Sequence, residues 1–171
     1  GKVRLVPVEG DTPRGAAASL RTPRAILARP GATLWITAQG HFADPRLRPP
    51  GLQAGVGHLA HGLKDAWILP LAIELPFWEE RTPEALLGFG DPVCVERGES
   101  RSPEAWTALV EDRLGAAQDA LAVLSLRRDA GAFETILGGS SGVGGVYDAW
   151  RRLKARLRGE RLDASHGGEA P

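Results

Sequence analysis

The segment from Ala32 to Ile73 constrains the fold of this chain most, because it holds two apolar runs on either side of a polar loop. The runs are Leu34–Ile36 and Trp67–Ile73, and each has the composition of a buried strand. The loop, residues 37–53, contains glycine, glutamine, histidine, aspartate and arginine. Enzymes of the α/β class present their chemical groups on loops that follow the carboxyl ends of strands. The pattern therefore predicts a functional loop between two strands.

The residues before this segment predict a strand followed by a helix. Val3–Val8 is a β-branched run typical of a strand. Pro13–Ala28 is an alanine-rich helical segment that starts at Thr12-Pro13 and is kinked or split at Pro23. A strand, a helix and a second strand of these lengths predict a parallel pair with a right-handed crossover.

Short elements follow the loop. We expect a short helix over Ala54–Leu63, a strand over Trp67–Ile73, a short helix that begins at Thr82-Pro83 and a fourth strand over Pro92–Glu96. This alternation predicts an α/β fold with a mostly parallel sheet flanked by helices.

The carboxyl-terminal part is predicted to be helical. Ser102-Pro103-Glu104 opens the clearest helix, in which apolar residues recur at spacings of three and four. These residues are Trp106, Leu109, Val110, Leu114, Ala117, Leu121 and Leu124, and the opposite face carries Glu111, Asp112, Gln118 and Asp119. A final helix over Tyr147–Arg158 has a basic side. We expect a single domain over residues 1–160, incomplete at its amino end, and a disordered tail over residues 161–171.

Composition excludes several classes of protein. The 171 residues contain 21 Lys plus Arg and 21 Asp plus Glu, so no net charge favours nucleic acid as a partner. No apolar run reaches the roughly 18–20 residues of a transmembrane helix. We expect no signal peptide at the amino end. Cys94 is the one cysteine, which suits a reducing compartment. The chain has no methionine and opens on Gly1, so we expect a fragment.

Three motif-like segments have simple alternative explanations. The glycine-rich run Gly138–Gly145 lacks the Lys-Ser/Thr pair of a phosphate-binding loop, so we interpret it as a turn or hinge. His58 and His61 lie three residues apart, but a zinc site needs three or four ligands, so no metal site is predicted. Arg46 and Arg48 lie in a proline-stiffened loop, where two guanidinium groups can bind a phosphate. The alternative for these arginines is an ordinary surface loop.

The order of these segments resembles the 1-acylglycerol-3-phosphate acyltransferase family of glycerolipid acyltransferases. The family's third block is Phe-Pro-Glu-Gly-Thr-Arg at a strand end, and Thr37–Phe42 occupies that place here. The fourth block is a strand with a proline inside an aliphatic run, similar to Ile68–Ile73. Gly55 opens the intervening helix, as in the family. Val8-Glu9 fits the second block, although Gly10 replaces its arginine.

The resemblance covers about residues 3 to 96 and implies an acyltransferase. Such an enzyme moves a fatty acyl group from a coenzyme A or carrier-protein thioester to a hydroxyl of a lipid-like acceptor, in phospholipid or glycolipid metabolism. Gln39 and Gly40 match the acceptor-binding block, with glutamine in place of glutamate. Because Phe42 replaces the block's arginine, we expect Arg46 or Arg48 to bind the acceptor. The resemblance also implies no cofactor and a cytoplasmic protein peripheral to a membrane.

The family's general base is a His-x-x-x-x-Asp pair in which the aspartate orients the histidine. None of His41, His58, His61 and His166 is followed by aspartate at that spacing. We therefore expect the pair to lie upstream of Gly1 or to have been lost, and we assign no catalytic residue in this chain.

Two alternatives stay open. The first is a non-catalytic lipid- or partner-binding domain on the same fold, which would use the basic side of Tyr147–Arg158 at a membrane surface. The second is an enzyme of another α/β class that uses His58 and His61. Vesicle binding with and without anionic lipid tests the first, and metal analysis of the purified protein tests the second.

Overall fold

A computed structural model describes residues 20–78 and 82–137 of the chain. Within these residues there are three α-helices and four short strands. In chain order they are α1 (Arg21–Leu27), α2 (Gly55–His61), β1 (Ala66–Ile68), β2 (Leu71–Glu74), β3 (Leu86–Phe89), β4 (Val93–Val95) and α3 (Pro103–Arg127), followed by a 3₁₀ turn at Ala130–Ala132.

The described residues fall into two compact units. Unit 1 holds residues 20–72 and 88–120, and unit 2 holds residues 73–78, 82–87 and 121–137. The boundary between the units cuts through β2, β3 and α3.

The four strands form two antiparallel pairs. β1 pairs with β4, and Trp67 lies opposite Cys94 at the centre of that ladder. β2 pairs with β3. Beyond the end of this second ladder, in unit 2, the amide of Glu84 donates to the carbonyl oxygen of Pro76 at 2.9 Å. The chain therefore turns back on itself as a hairpin.

A β-bulge separates the two ladders in unit 1. The amide of Gly90 donates to the carbonyl oxygen of Pro70 at 3.0 Å, so the single residue Leu69 faces the two residues Asp91 and Pro92. Two residues opposite one is the count that defines a bulge. Pro70 has no amide hydrogen to return a bond, which explains why the predicted strand Trp67–Ile73 is interrupted at this point.

The predicted mostly parallel α/β sheet is wrong. The described residues contain two antiparallel two-stranded sheets and no parallel pair. The helix predicted from Thr82-Pro83 is also wrong, because β3 follows there. Eleven residues separate β2 from β3 in the sequence. So short a connection is typical of an antiparallel pair, whereas a parallel pair needs a crossover of about a dozen residues or more.

The predicted strand Leu34–Ile36 is not formed either. These residues pair with no strand among those that the structure describes, and the side chain of Trp35 is 73% exposed. The predictions for Val3–Val8, for the first half of the helix Pro13–Ala28, for the glycine-rich run and for Tyr147–Arg158 lie outside the described residues, as does the predicted tail.

Helix α3 confirms the clearest prediction and supplies the core of unit 1. It begins at Pro103, and the hydroxyl of Ser102 accepts a hydrogen bond from the amide of Ala105 at 3.2 Å. Trp106 is 1% exposed and packs against Ala60 of α2 and Val95 of β4. Partly buried apolar side chains from β1, β4, α3 and the segment after α2 surround this cluster: Leu63, Ala66, Ile68, Val93 and Leu109.

The contact between α2 and α3 depends on the absence of a side chain at Gly57. A Cβ atom at this position would overlap the carbonyl oxygen of Pro103 and Oγ1 of Thr107. The confirmed short helix α2 is thereby held against the first turn of α3. Its own start, at Gly55, has open space around it.

Unit 2 has a smaller set of packed residues. Leu86 and Leu121 are buried, and the rings of Trp78 and Phe133 lie 6.0 Å apart at an angle of 59°. The Arg128 side chain donates to the carbonyl oxygen of Trp78, which links the end of α3 to the segment that follows β2. Among the described residues, no helix has both the length and the apolar character needed to span a membrane.

Candidate functional site

The four residues predicted to bind the acceptor, Gln39, Gly40, Arg46 and Arg48, lie in one loop of unit 1, residues 37–53. The loop opens with a tight turn in which the amide of Gly40 donates to the carbonyl oxygen of Thr37 at 3.2 Å. Gly40 has φ +70°, a backbone conformation that favours glycine, and an added Cβ would lie 3.2 Å from Cγ of Gln53. The glycine is therefore required by the turn itself.

Gln39 closes the loop. Its side-chain nitrogen donates to the carbonyl oxygen of Pro50 at 2.7 Å, and its backbone oxygen accepts from Nε2 of Gln53 at 3.3 Å. Its side-chain oxygen accepts no hydrogen bond from any residue that the structure describes. Half of this amide group is thus used to hold the loop, and the other half is available to a donor from a ligand.

A second turn presents the two arginines. A side-chain oxygen of Asp44 accepts from the amide of Arg46 at 2.9 Å, and the backbone oxygen of Asp44 accepts from the amide of Leu47 at 3.1 Å. Aspartate at the first position and proline at the second are typical of such a turn. The Asp44-Pro45 sequence therefore determines where Arg46 and Arg48 project.

The two arginines have different environments. The Nε and Nη2 atoms of Arg48 donate to one carboxylate oxygen of Asp119 at 2.9 and 2.5 Å, and Nη1 donates to the carbonyl oxygens of Pro45 and Leu47. The guanidinium of Arg46 is exposed and contacts no carboxylate or carbonyl among the described residues. Arg48 is thus a structural anchor, whereas the guanidinium of Arg46 has no partner in the described part of the chain.

Helix α3 positions the loop through acidic residues that the sequence predicted to lie on the face opposite its apolar stripe. Oε1 of Glu111 accepts from the amides of Gly51 at 2.7 Å and Leu52 at 3.0 Å. Glu111 and Asp119 are eight residues apart, or about two turns, so both lie on one side of the helix. Sequence analysis missed this role, because an acidic helix face looks the same whether it meets solvent or a loop.

His41 follows the Gly40 turn and was not predicted as a site residue. Its Nδ1 lies 2.8 Å from the backbone oxygen of Gln39. Since a carbonyl oxygen only accepts, Nδ1 is the donor in this contact. His61 makes the same kind of contact with the backbone oxygen of Arg101 at 2.9 Å, so this geometry is not confined to the loop.

The electrostatics of the described residues give little support to a metal centre. No group of three or more His, Cys, Asp or Glu side chains among them is arranged to hold a metal ion. Within residues 20–78 and 82–137, the one group with a clearly shifted pKa is Glu104, whose pKa is lowered first by a backbone hydrogen bond at the start of α3, then by Ser102 and the two histidines of α2. It lies outside the loop.

An open groove of about 630 Å³ lies in unit 1. It is lined by the β4 residues Val93 and Cys94 and by Arg97, Leu109 and Arg113, among others. None of the predicted acceptor-binding residues lines this groove.

Comparisons with protein-family models, with curated proteins and with solved structures find no match to this chain. The functional assignment therefore depends on the residues of the loop and on their contacts.

Proposed function

We propose that this chain binds the lipid-like hydroxyl acceptor in an acyl-transfer reaction whose acyl donor is a thioester. The observation that carries the proposal is the division of tasks within the 37–53 loop. Arg48 and the amide nitrogen of Gln39 hold the loop, whereas the guanidinium of Arg46 and the side-chain oxygen of Gln39 are left for a ligand. The resemblance of Thr37–Phe42 and Ile68–Ile73 to acyltransferase blocks supports the same role.

The two uncommitted groups suit an acceptor with a phosphate and a hydroxyl. A guanidinium donates two parallel hydrogen bonds to a phosphate. The side-chain oxygen of Gln39 accepts from a hydroxyl and, unlike a carboxylate, adds no negative charge near the phosphate. Gly40 lets a ligand approach the backbone closely.

The reaction needs a base that we do not assign in this chain. The acceptor oxygen attacks the thioester carbonyl, its proton passes to a general base, and the thiolate leaves as the new ester forms. In the family that this chain resembles, the base is the histidine of a His-x-x-x-x-Asp pair, and that pair is absent from the sequence. The part of the chemistry that we propose for these residues is to hold and orient the acceptor.

A binding experiment tests the acceptor role. Isothermal titration with 1-octanoylglycerol 3-phosphate and with 1-octanoylglycerol, both below their micelle-forming concentrations, compares a phosphorylated and a neutral acceptor. We expect Arg46→Ala to weaken binding of the phosphorylated ligand about tenfold, as loss of one exposed charged hydrogen-bond pair implies. Binding of the neutral ligand should change by less than about twofold.

Arg29→Ala is the matched control, because Arg29 is an exposed arginine of unit 1 outside the loop. If the protein binds both ligands with equal affinity, or if Arg46→Ala and Arg29→Ala change the affinity equally, the proposed acceptor site is contradicted.

The second candidate function is a non-catalytic lipid-binding domain, and one observation favours it. Trp67, Leu69 and Phe89 of unit 1 are all more than half exposed although they lie on or beside the strands. Aromatic side chains in this situation bind readily at the boundary between lipid and water. Co-sedimentation with phosphatidylcholine vesicles separates the candidates: Trp67→Ser should abolish binding if the lipid-surface role is correct and leave it unchanged if it is not.

A further inference from the structure

The tip of the 37–53 loop, defined here as residues 41–47, exposes two apolar side chains. Phe42 is 108% exposed, so its ring is at least as accessible as in an extended chain, and Leu47 is 58% exposed. A single exposed leucine is common on protein surfaces. Here the apolar side chains accompany Arg46, whose guanidinium contacts no carboxylate or carbonyl among the described residues.

The base of the loop is held in place, so a loose attachment does not explain the exposure of the tip. Pro50 is buried, and its carbonyl oxygen accepts from the side-chain nitrogen of Gln39 at 2.7 Å. The carboxylate of Glu111 accepts from the amides of Gly51 and Leu52. The apolar side chains of the tip therefore lie on an anchored loop and yet do not join the core.

We propose that the loop tip docks on the surface of a phospholipid bilayer, with Phe42 and Leu47 among the acyl chains and Arg46 at the level of the phosphates. The inference rests on the proposed acceptor role, since a bilayer is the source of a lipid-like acceptor. It differs from the lipid-surface role of Trp67, Leu69 and Phe89, because it assigns the contact to the loop and not to the strands.

The chemistry of the tip matches the two outer layers of a bilayer. Arg46 and Leu47 are consecutive residues of the Asp44 turn, so one turn presents both a guanidinium and an aliphatic side chain. Phosphates lie directly above the acyl chains, and arginine places its charge among them while its stem lies against apolar groups. Asp44 balances the charge of Arg46, so a zwitterionic surface such as phosphatidylcholine suits the tip.

The size of the tip favours a lipid surface over a protein partner. A stable protein interface takes roughly 20–30 residues from each side, whereas the tip has seven residues. Energetically important side chains of a protein interface also lie in closely packed surroundings that exclude water. All residues of the tip except Ala43 are exposed. Insertion into lipid needs only the apolar area itself.

Co-sedimentation of the full chain with phosphatidylcholine vesicles tests the proposal. We expect Phe42→Ser to lower the vesicle partition coefficient about tenfold and Leu47→Ser about fivefold, because each removes apolar area from the lipid contact. Phe42→Trp keeps an aromatic ring and should bind within about twofold of the original chain.

The matched controls are Phe89→Ser and Leu69→Ser. Phe89 and Leu69 are also exposed residues of unit 1, at 63% and 52%, but they lie outside the loop. Each control should change the partition coefficient by less than about twofold. Circular dichroism and urea midpoints first establish that every variant is folded.

A fluorescent probe tests which part of the chain enters the lipid. Phe42→Cys and Arg29→Cys are each made in a Cys94→Ser background, which leaves one thiol for an environment-sensitive fluorophore. With vesicles we expect the emission of the probe at position 42 to shift to shorter wavelength and to be quenched by spin labels on the acyl chains. The probe at position 29, an exposed site outside the loop, should show neither change.

A chain that stays in the supernatant overturns the proposal and leaves the tip to a protein partner. Vesicle binding that the controls reduce as much as Phe42→Ser and Leu47→Ser overturns it too, because the strands then make the contact. Titration with dispersed 1-octanoylglycerol 3-phosphate separates this result from the acceptor role: Phe42→Ser should leave that affinity within about twofold. Acceptor binding without vesicle binding therefore contradicts the docking alone, and loop-dependent vesicle binding without acceptor binding supports the docking and contradicts the acceptor role.

Discussion

The carboxylate of Glu111 is expected to hold the 37–53 loop onto helix α3, and Glu111→Ala is the perturbation that tests this. The substitution removes two hydrogen bonds, from the amides of Gly51 at 2.7 Å and Leu52 at 3.0 Å. Hydrogen bonds to charged groups contribute about 1.5–3 kcal/mol each. Gly51 is exposed, so water replaces much of its bond, whereas Leu52 is partly buried.

The expected loss is therefore about 2 kcal/mol in the free energy of unfolding, most of it from the Leu52 amide. With a urea dependence of about 2 kcal/mol per molar for a small domain, the midpoint of urea unfolding should fall by about 1 M. Tryptophan fluorescence follows the transition. Glu111→Gln keeps an acceptor oxygen without the charge and should lose about half as much.

Asp112→Ala is the control for this experiment. Asp112 is the next residue on α3, is exposed and forms no ion pair among the described residues. Removal of its carboxylate should change stability by less than about 0.5 kcal/mol. If Glu111→Ala and Asp112→Ala have the same effect, the carboxylate of Glu111 does not hold the loop, and the reasoning is refuted.

Three further predictions concern the scaffold of unit 1. Trp106→Ala should destabilise the protein by about 3–5 kcal/mol, measured by urea unfolding, because it empties the centre of the core; a loss below about 1 kcal/mol would contradict that placement. Gly57→Ala should lower the free energy of unfolding by more than about 2 kcal/mol, because the new Cβ overlaps Pro103. Gly55→Ala, with open space around it, should be neutral or slightly stabilising. Equal effects of the two substitutions would refute the contact between α2 and α3. The pKa of Glu104 is lower in the folded protein than in the unfolded chain. Its carboxylate therefore stabilises the fold at a pH above the unfolded-state pKa, and this contribution is lost as pH falls through the folded-state pKa. Glu104→Gln removes this titration, so the free energy of unfolding should decline less steeply between about pH 5 and 3.

Helix α3 shows what sequence periodicity predicts well. Trp106, Val110, Ala117 and Leu121 lie at successive spacings of four, seven and four, and each is buried. The repeat runs for many turns, so no other regular element accommodates it. The start at Ser102-Pro103 was also predicted, because capping depends only on local residues.

The sheet shows what such patterns do not predict. Leu86–Phe89 is too short, and contains a glycine, so its hydrophobic residues show no clear period. Thr82-Pro83 resembles a helix start, and the sequence therefore predicts a helix in this region. Its structure depends on pairing with β2, a contact made across eleven intervening residues. The direction of a strand pair follows from the connection, so a helix predicted where β3 lies led to the wrong prediction of parallel pairing.

The candidate site was predicted in part. Gly40 lies in a turn and the two arginines lie in one loop, as expected from the glycine and proline positions. That Arg48 is held by Asp119 while Arg46 is not depends on residues more than seventy positions apart. No local pattern carries that information, and only the packing of the loop on α3 assigns the two arginines different roles.

The most direct test of the proposed function is acyl transfer by the natural polypeptide that contains this sequence. Release of free coenzyme A from palmitoyl-coenzyme A and formation of the ester product are measured together, with phosphorylated and neutral lipid acceptors. We expect stoichiometric ester formation and, for Arg46→Ala, a KM for the phosphorylated acceptor raised about tenfold with kcat nearly unchanged. Absence of ester product with every hydroxyl acceptor, or an Arg46→Ala variant that matches Arg29→Ala in KM, would contradict the account.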